Sequence, residues 1–189
     1  GKKDLAEKYL LLASEYGLAK GQLHLGVFYS NQGKEDLAEK YLLLASEQKY
    51  VEAQCGLGLL YANQEKYDLA EKYLLLASEQ GSVEARNGLG ILYEAQGKYD
   101  LAEKYWLLAS EQGDMYSQYE LGILYADQDK YDLAEKYWLL AVRQGIGFSF
   151  EDLARAYYIE GKKELGEICD KIENERLVNN YEEARMKKI

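Results

Sequence analysis

Tyr67-Asp68-Leu69-Ala70-Glu71-Lys72-Tyr73-Leu74-Leu75-Leu76-Ala77-Ser78-Glu79-Gln80-Gly81 is the stretch that decides the fold. Its core, Asp-Leu-Ala-Glu-Lys-Tyr, opens at Asp4, Asp36, Asp68, Asp100 and Asp132, a spacing of 32 residues each time. A fixed period of this length marks stacked helical repeats, because one such unit cannot bury its apolar face alone. Around this core each unit splits into two helical patterns. Ala85, Leu89, Leu92 and Tyr93 fall on one helical face, and Leu101, Ala102, Tyr105, Leu108 and Ala109 repeat the stripe on a second helix. Gly97 suits the left-handed position that ends the first helix, Gly113 stops the second, and Asp114 can cap the next. Turns this short make the two helices antiparallel neighbours.

Taken in order, an orphan second helix is expected over Lys3 to Tyr16, within residues 1–17. Four helix pairs follow over 18–145, their first helices starting near Ala19, Val51, Val83 and Met115. A degenerate fifth pair and a C-terminal cap occupy 146–189, with its first helix from about Gly147, its second from about Lys163 to Arg176, and a last short helix over Asn180 to Ile189. In that pair Leu165, Ile168, Cys169 and Ile172 keep an apolar stripe. The whole chain reads as a single domain. No proline interrupts it. Asp68 with Lys72, and the matching pairs in the other units, stand acid before base at i and i+4, which supports a helix by a few tenths of a kcal/mol, roughly.

The chain has 189 residues, nearly half of them apolar, and a net charge of −10. Such acidity argues against nucleic acid or an anionic membrane as a partner, since both select a basic face. The longest apolar runs fall well short of the ~20 residues of a membrane span, so no membrane insertion is expected. Cys55 and Cys169 fall in distant repeats and are expected to be free thiols, which favours a cytoplasmic setting; a secreted one requires removal of a signal peptide.

Two motifs carry a family resemblance. They are Ala85-x-x-x-Leu89-Gly90-x-x-Tyr93 and Gly97-x-Tyr99-x-x-Ala102-x-x-x-Trp106-x-x-Ala109. They resemble the tetratricopeptide repeat, whose period is about 34 and which ends with a proline absent here. The turn Ala109-Ser-Glu-Gln-Gly113 looks instead like the related Sel-one-like repeat. The resemblance runs from Lys3 to about Tyr158. It implies an all-α, right-handed α-solenoid of antiparallel helix pairs that serves as a protein-binding scaffold, with the first helices lining a concave groove. Gly26, Gly58, Gly90 and Gly122 fall mid-helix, where glycine costs ~1 kcal/mol against alanine, so a neighbouring helix must approach closely there. Tyr29, Tyr61, Tyr93, Tyr125 and Tyr157 then fill the gap between helices, and Trp106 and Trp138 suit a core position of the second helix.

Catalytic chemistry is not apparent. His24 is the single histidine and has no ligand-spaced companion, no nucleophile motif occurs, and Gly56-Leu-Gly58 is a packing element rather than a phosphate loop. No enzyme activity, metal or cofactor is expected. The informative signal is variation. The second helix is nearly invariant from unit to unit, whereas the first helix changes at the positions expected to face the groove. The expected peptide-binding residues are Asn31, Asn63, Glu84, Asn87, Glu94, Tyr116, Tyr119, Asp127, Phe148 and Tyr158. The carboxylates would pair with basic residues of a peptide, the asparagines with its backbone, and the aromatic cluster would hold an apolar anchor. Lys20 and Arg155, the only cations at these positions, stand at opposite ends, so capture of a C-terminal carboxylate, the family's best-known mode, is not expected. The expected partner is therefore a protein or peptide with basic and apolar residues. Leu5, Tyr9 and Leu12 on the orphan helix offer a second role, self-association as a homo-oligomer.

Overall fold

A computed structural model describes residues 2–146 and 149–186, with side chains described for 5–146 and 150–175. The described residues form eleven helices and no strand, in two compact units, 1–109 and 110–189. The first unit contains α1 (Lys2–Glu15), α2 (Ala19–Ser30), α3 (Glu35–Glu47), α4 (Val51–Asn63), α5 (Tyr67–Glu79), α6 (Val83–Ala95) and α7 (Tyr99–Ser110). The second contains α8 (Met115–Asp127), α9 (Tyr131–Arg143), α10 (Ser149–Ile159) and α11 (Lys163–Met186). The first helices start at the residues the repeat pattern indicates, apart from α10, whose description begins at Ser149. In the first unit consecutive helices from α1 to α6 pack on one another, and α4 also touches both α2 and α6. In the second unit α8 packs on α9, α9 on α10 and α10 on α11.

Close approach explains the mid-helix glycines. A Cβ built on Gly26 would sit 2.7 Å from Leu42 Cγ, and one on Gly58 would sit 2.5 Å from Leu74 Cγ. Trp106 and Trp138 take the place of those leucines in the later units, and their indoles lie directly against Gly90 and Gly122. Both indoles are buried, and their Nε1 atoms have no hydrogen-bond partner among the described residues.

The tyrosine of each Leu-Gly-x-x-Tyr element does more than fill space. Tyr29, Tyr61 and Tyr93 stack on Tyr41, Tyr73 and Tyr105 of the following helix, with ring centroids 5.6 to 5.7 Å apart. Their hydroxyls donate to Glu7, Glu39 and Glu71 of the preceding second helix, each at 2.8 Å. In the other unit Tyr157 donates to Glu135 at 2.7 Å. Thus one side chain ties a helix pair together and joins it to the pair before. Charged acceptors make such bonds stronger than neutral ones. Glutamines form a second ladder: Gln48 donates to Gln22, Gln80 to Gln54 and Gln144 to Gln118, at 2.6 to 2.8 Å.

Three expectations need correction. Among the described residues the i, i+4 aspartate–lysine pairs do not close. Lys40, Lys72, Lys104 and Lys136 instead lie 4.8 to 5.2 Å over the rings of the tyrosines that follow them. The electron-rich ring face attracts the ammonium group where a solvated carboxylate offers little. Among the described residues the separate last helix is also absent. Helix α11 runs unbroken from Lys163 to Met186, since no glycine or proline interrupts it between Arg176 and Asn180. Nor is the expected apolar stripe packed: over the described side chains of this helix Leu165, Ile168 and Ile172 are exposed and only Cys169 is buried.

Helix ends follow local chemistry. Ser82 Oγ and Asp114 Oδ2 accept from the backbone N–H groups of Ala85 and Ser117, at 3.1 and 2.7 Å. Gly97 and Gly113 adopt φ of 70° and 86°, the left-handed termination expected of them. Lys49, Glu65 and Asp129 hold the same conformation at φ of 57° to 59°, without glycine's freedom.

Candidate functional site: the exposed stripe of the first helices

Each first helix buries its Leu, Gly and Tyr, and what remains outward is a narrow stripe at i, i+3 or i+4, i+7 and i+11. In α4 it carries Glu52, Leu59 and Asn63; in α6 it carries Glu84, Asn87, Ile91 and Ala95. Cys55, at the matching position of α4, is buried instead, and burial, reinforced by Glu84, pushes its thiol up to about 11. That thiol stays protonated and unreactive at neutral pH.

The stripe's centre is apolar. Val27, Leu59 and Ile91 recur every 32 residues and are 43, 44 and 48% exposed. The sequence reading missed them, since it looked for positions that vary, and these hold their apolar character. Constant apolar residues at helical spacing look like core. The signal that could have found them is phase: they lie one residue after the Leu-Gly pair, two positions past its buried leucine and so turned about 160° away from it.

Asn31 and Asn63 are exposed at the C-terminal ends of α2 and α4. Glu84 is exposed, while Asn87 and Glu94 are half-buried, and all three lie on α6. In the second unit α8 brings Tyr116, Tyr119, Ile123 and Asp127 onto one stripe. Tyr116 is 57% exposed. Tyr119 is half-buried and donates to Asp152 Oδ2 on α10 at 2.9 Å; burial first, then that carboxylate, push its phenol upward. Arg155 lies 3.5 Å from Asp152 and 3.6 Å from Glu151. Tyr158 turns toward α11: its hydroxyl donates to Asp170 at 2.6 Å and its ring covers Gly166. Phe148 lies outside the described residues. The expected residues therefore group as the Asn31, Asn63, Glu84 and Asn87 positions in one unit and Tyr116, Tyr119 and Asp127 in the other, with Tyr158 engaged elsewhere.

Among the described residues no cluster of three or more His, Cys, Asp or Glu side chains could hold a metal ion, and no helix is long and apolar enough to cross a membrane. His24 is exposed.

A tetratricopeptide-repeat family model matches residues 51–79, which is the α4–α5 pair. No curated protein matches the chain. Among solved structures, the chain is similar to c5321, a protective antigen of uropathogenic Escherichia coli strains that displays an SLR fold. Identity is 31% with a TM-score of 0.69, over 80% of this chain but only 36% of that one. The chain thus spans about a third of that protein. A Sel1 repeat protein from Oxalobacter formigenes matches at 24% identity and a TM-score of 0.72, over 89% of this chain and 76% of that one. BtubC from P. vanneervenii matches at 20% identity and a TM-score of 0.74, over 95% and 90%. The last two show likeness of fold alone. Proteins built from such repeats are in general interaction modules and typically non-catalytic. Helix pairs at a 32-residue period, the matched α4–α5 unit and the SLR-fold relative together support a tetratricopeptide/Sel1-like repeat architecture for this chain.

Proposed function

We propose that this chain is a non-catalytic protein–protein interaction module that takes a peptide or protein segment, basic and apolar in character, along the exposed stripe of its first helices. The observation that carries the reading is the recurrence of Val27, Leu59 and Ile91, exposed at the centre of successive stripes and flanked by Glu52, Glu84, Asn31 and Asn63. Apolar side chains held in water at a fixed interval stabilise no core, while evenly spaced anchors with polar flanks suit an extended or helical ligand. Carboxylates at the stripe select basic residues, each exposed pair contributing up to ~1 kcal/mol and weakening with salt. Selection of random 12-residue peptides against the chain tests this. The expected yield is peptides combining Lys or Arg with an apolar residue, bound more weakly as salt rises. Enrichment of acidic peptides with free C-termini would refute it.

A second reading rests on α1. Leu5, Tyr9 and Leu12 are 55, 62 and 46% exposed. In the next units the residue matching Tyr9 is Tyr41 or Tyr73, each stacked on a first-helix tyrosine. A second copy covering this face would make the chain a homo-oligomer. Sedimentation across a concentration series, with Tyr9→Lys as the control, checks it: association lost in that variant favours the reading, and a strict monomer removes it.

A further inference from the structure

The second unit has a cleft between α8 and α10 whose origin is legible in the repeat. At the matching position of the first helices stand Phe28, Leu60, Leu92 and Leu124; in α10 it is Ala156. The three leucines are buried, each filling its position with a branched side chain. Ala156 leaves that space open, as a cavity of about 220 Å³ over the Trp138 indole, walled by Ile123, Ala126 and Ile159. This is smaller than the roughly 300–1,000 Å³ of sites that enclose a small molecule. It has the scale of one aliphatic side chain.

The mouth is charged unevenly. Arg155 is held by Glu151 and Asp152, and Asp152 also accepts from Tyr119, so this cation is already matched. Asp127 lines the same cavity, is exposed, and has no hydrogen-bond or ion-pair partner among the described residues. The opening therefore carries an uncompensated negative charge beside the apolar walls that Ile123, Ala126 and Ile159 give a cavity also lined by Tyr131, Asp152 and Arg155.

We propose that this cleft is a socket for one leucine, isoleucine or methionine of the bound protein segment, with a lysine or arginine next to it in sequence paired to Asp127. The proposal rests on the stripe-binding function above and assigns its anchor position. The ligand's side chain replaces the leucine that α4, α6 and α8 supply for themselves. Ile159, 60% exposed on the rim, gains cover when the socket fills.

The test uses the full chain and a capped peptide with a single Leu-Lys pair in a Gly/Ser background. Two parallel peptides carry Ser for Leu, or Glu for Lys. Binding is read from the Trp138 indole resonance, assigned with Trp106→Leu, because the chain has two tryptophans and leucine occupies the equivalent positions 42 and 74. Saturable binding of the Leu-Lys peptide is expected, at least about tenfold tighter than either control. Ala156→Leu fills the socket with the residue other units already use, and should abolish the shift while helicity is unchanged. Ile159→Ser should weaken binding in a protein whose cavity is untouched. Asp127→Asn should remove the salt dependence. Full-affinity binding to the Ala156→Leu variant overturns the socket. If that binding is then lost on Ile91→Ser, the stripe function stands and only the socket falls; if it survives both changes, both fall. No saturable binding of the Leu-Lys peptide also overturns the socket, and leaves the random-peptide selection to judge the stripe.

Discussion

The pairs α4–α5 and α10–α11 share a frame and fill it in opposite ways. In α4–α5, Gly58 meets Leu74, and the matching step toward the helix ends pairs Ala62 with Ala70. In α10–α11 the same positions read Ala154 with Asp170, and Tyr158 with Gly166. The large residue has moved from the second helix to the first, and the glycine has moved the other way. Asp170, standing where a core leucine stands in the other pair, accepts the Tyr158 hydroxyl. Tyr73, which stacks on Tyr61, has become Cys169. The repeat preserves paired volumes rather than residues, as close-packed interiors require.

The largest effect expected from this comparison is at the glycines. Gly58→Ala should destabilise the chain by about 2 kcal/mol, since the new Cβ collides with Leu74. Ala154→Gly, at the same position of α10, should cost only the helix-propensity loss of ~1 kcal/mol. Denaturant titration of both variants checks this, and equal losses would break the comparison.

The tyrosine–glutamate bond is the feature the two pairs keep in common. Tyr61→Phe and Tyr157→Phe should therefore cost similar amounts, about 1.5 kcal/mol each, for a bond to a charged acceptor. A clear inequality between them would show that the bond is worth less in one of the pairs.

Alkali probes the same ladder. Burial, then the paired glutamate, push the Tyr29 phenol up to about 12 from an ordinary value near 10, and Tyr61 and Tyr157 are raised in the same way. Between those values the unfolded chain has already lost phenolic protons that the folded chain retains. The folded state binds more protons, so stability falls as pH rises through this window and is flat in this respect below it. Thermal denaturation at steps from pH 9 to about 12 should show the decline, smaller in Tyr61→Phe.

The smallest effect concerns the turn. Glu65 and Gly161 hold the same left-handed position in the two pairs. Glu65→Gly should stabilise by about 0.5 kcal/mol, the relief of strain less the added freedom of the unfolded chain, and Gly161→Glu should do the reverse.

These comparisons also show what was legible in the sequence. The starts of α2, α6 and α8 follow from glycine turns, joined at α6 and α8 by the capping residues Ser82 and Asp114, which act within a few positions of each other; the start of α4, after Lys49 and the uncapped Tyr50, follows from the 32-residue period. The close approach at Gly58 was legible because a mid-helix glycine otherwise destabilises. The bond from Tyr61 to Glu39 was not, because it joins residues 22 apart across a turn, and their apposition depends on how the helices are rotated. The exchange of bulk between Tyr158 and Gly166 hid in a segment that had lost the repeated string. At the candidate site, variable polar positions such as Glu84 and Asn87 stood out, whereas Leu59 and Ile91 did not, because a regular apolar residue carries no mark of which way it faces.

The most direct measurement sets two faces against each other. With a selected peptide in hand, the double variant Leu59→Ser/Ile91→Ser changes the stripe of the first helices. Leu69→Ser/Leu101→Ser changes exposed leucines of the second helices, 39 and 37% accessible. Calorimetric titration of the folded variants should show a loss of about 2 kcal/mol or more for the first and less than about 0.5 for the second. Full affinity in the first variant, with loss in the second, would contradict the assignment of binding to the first helices.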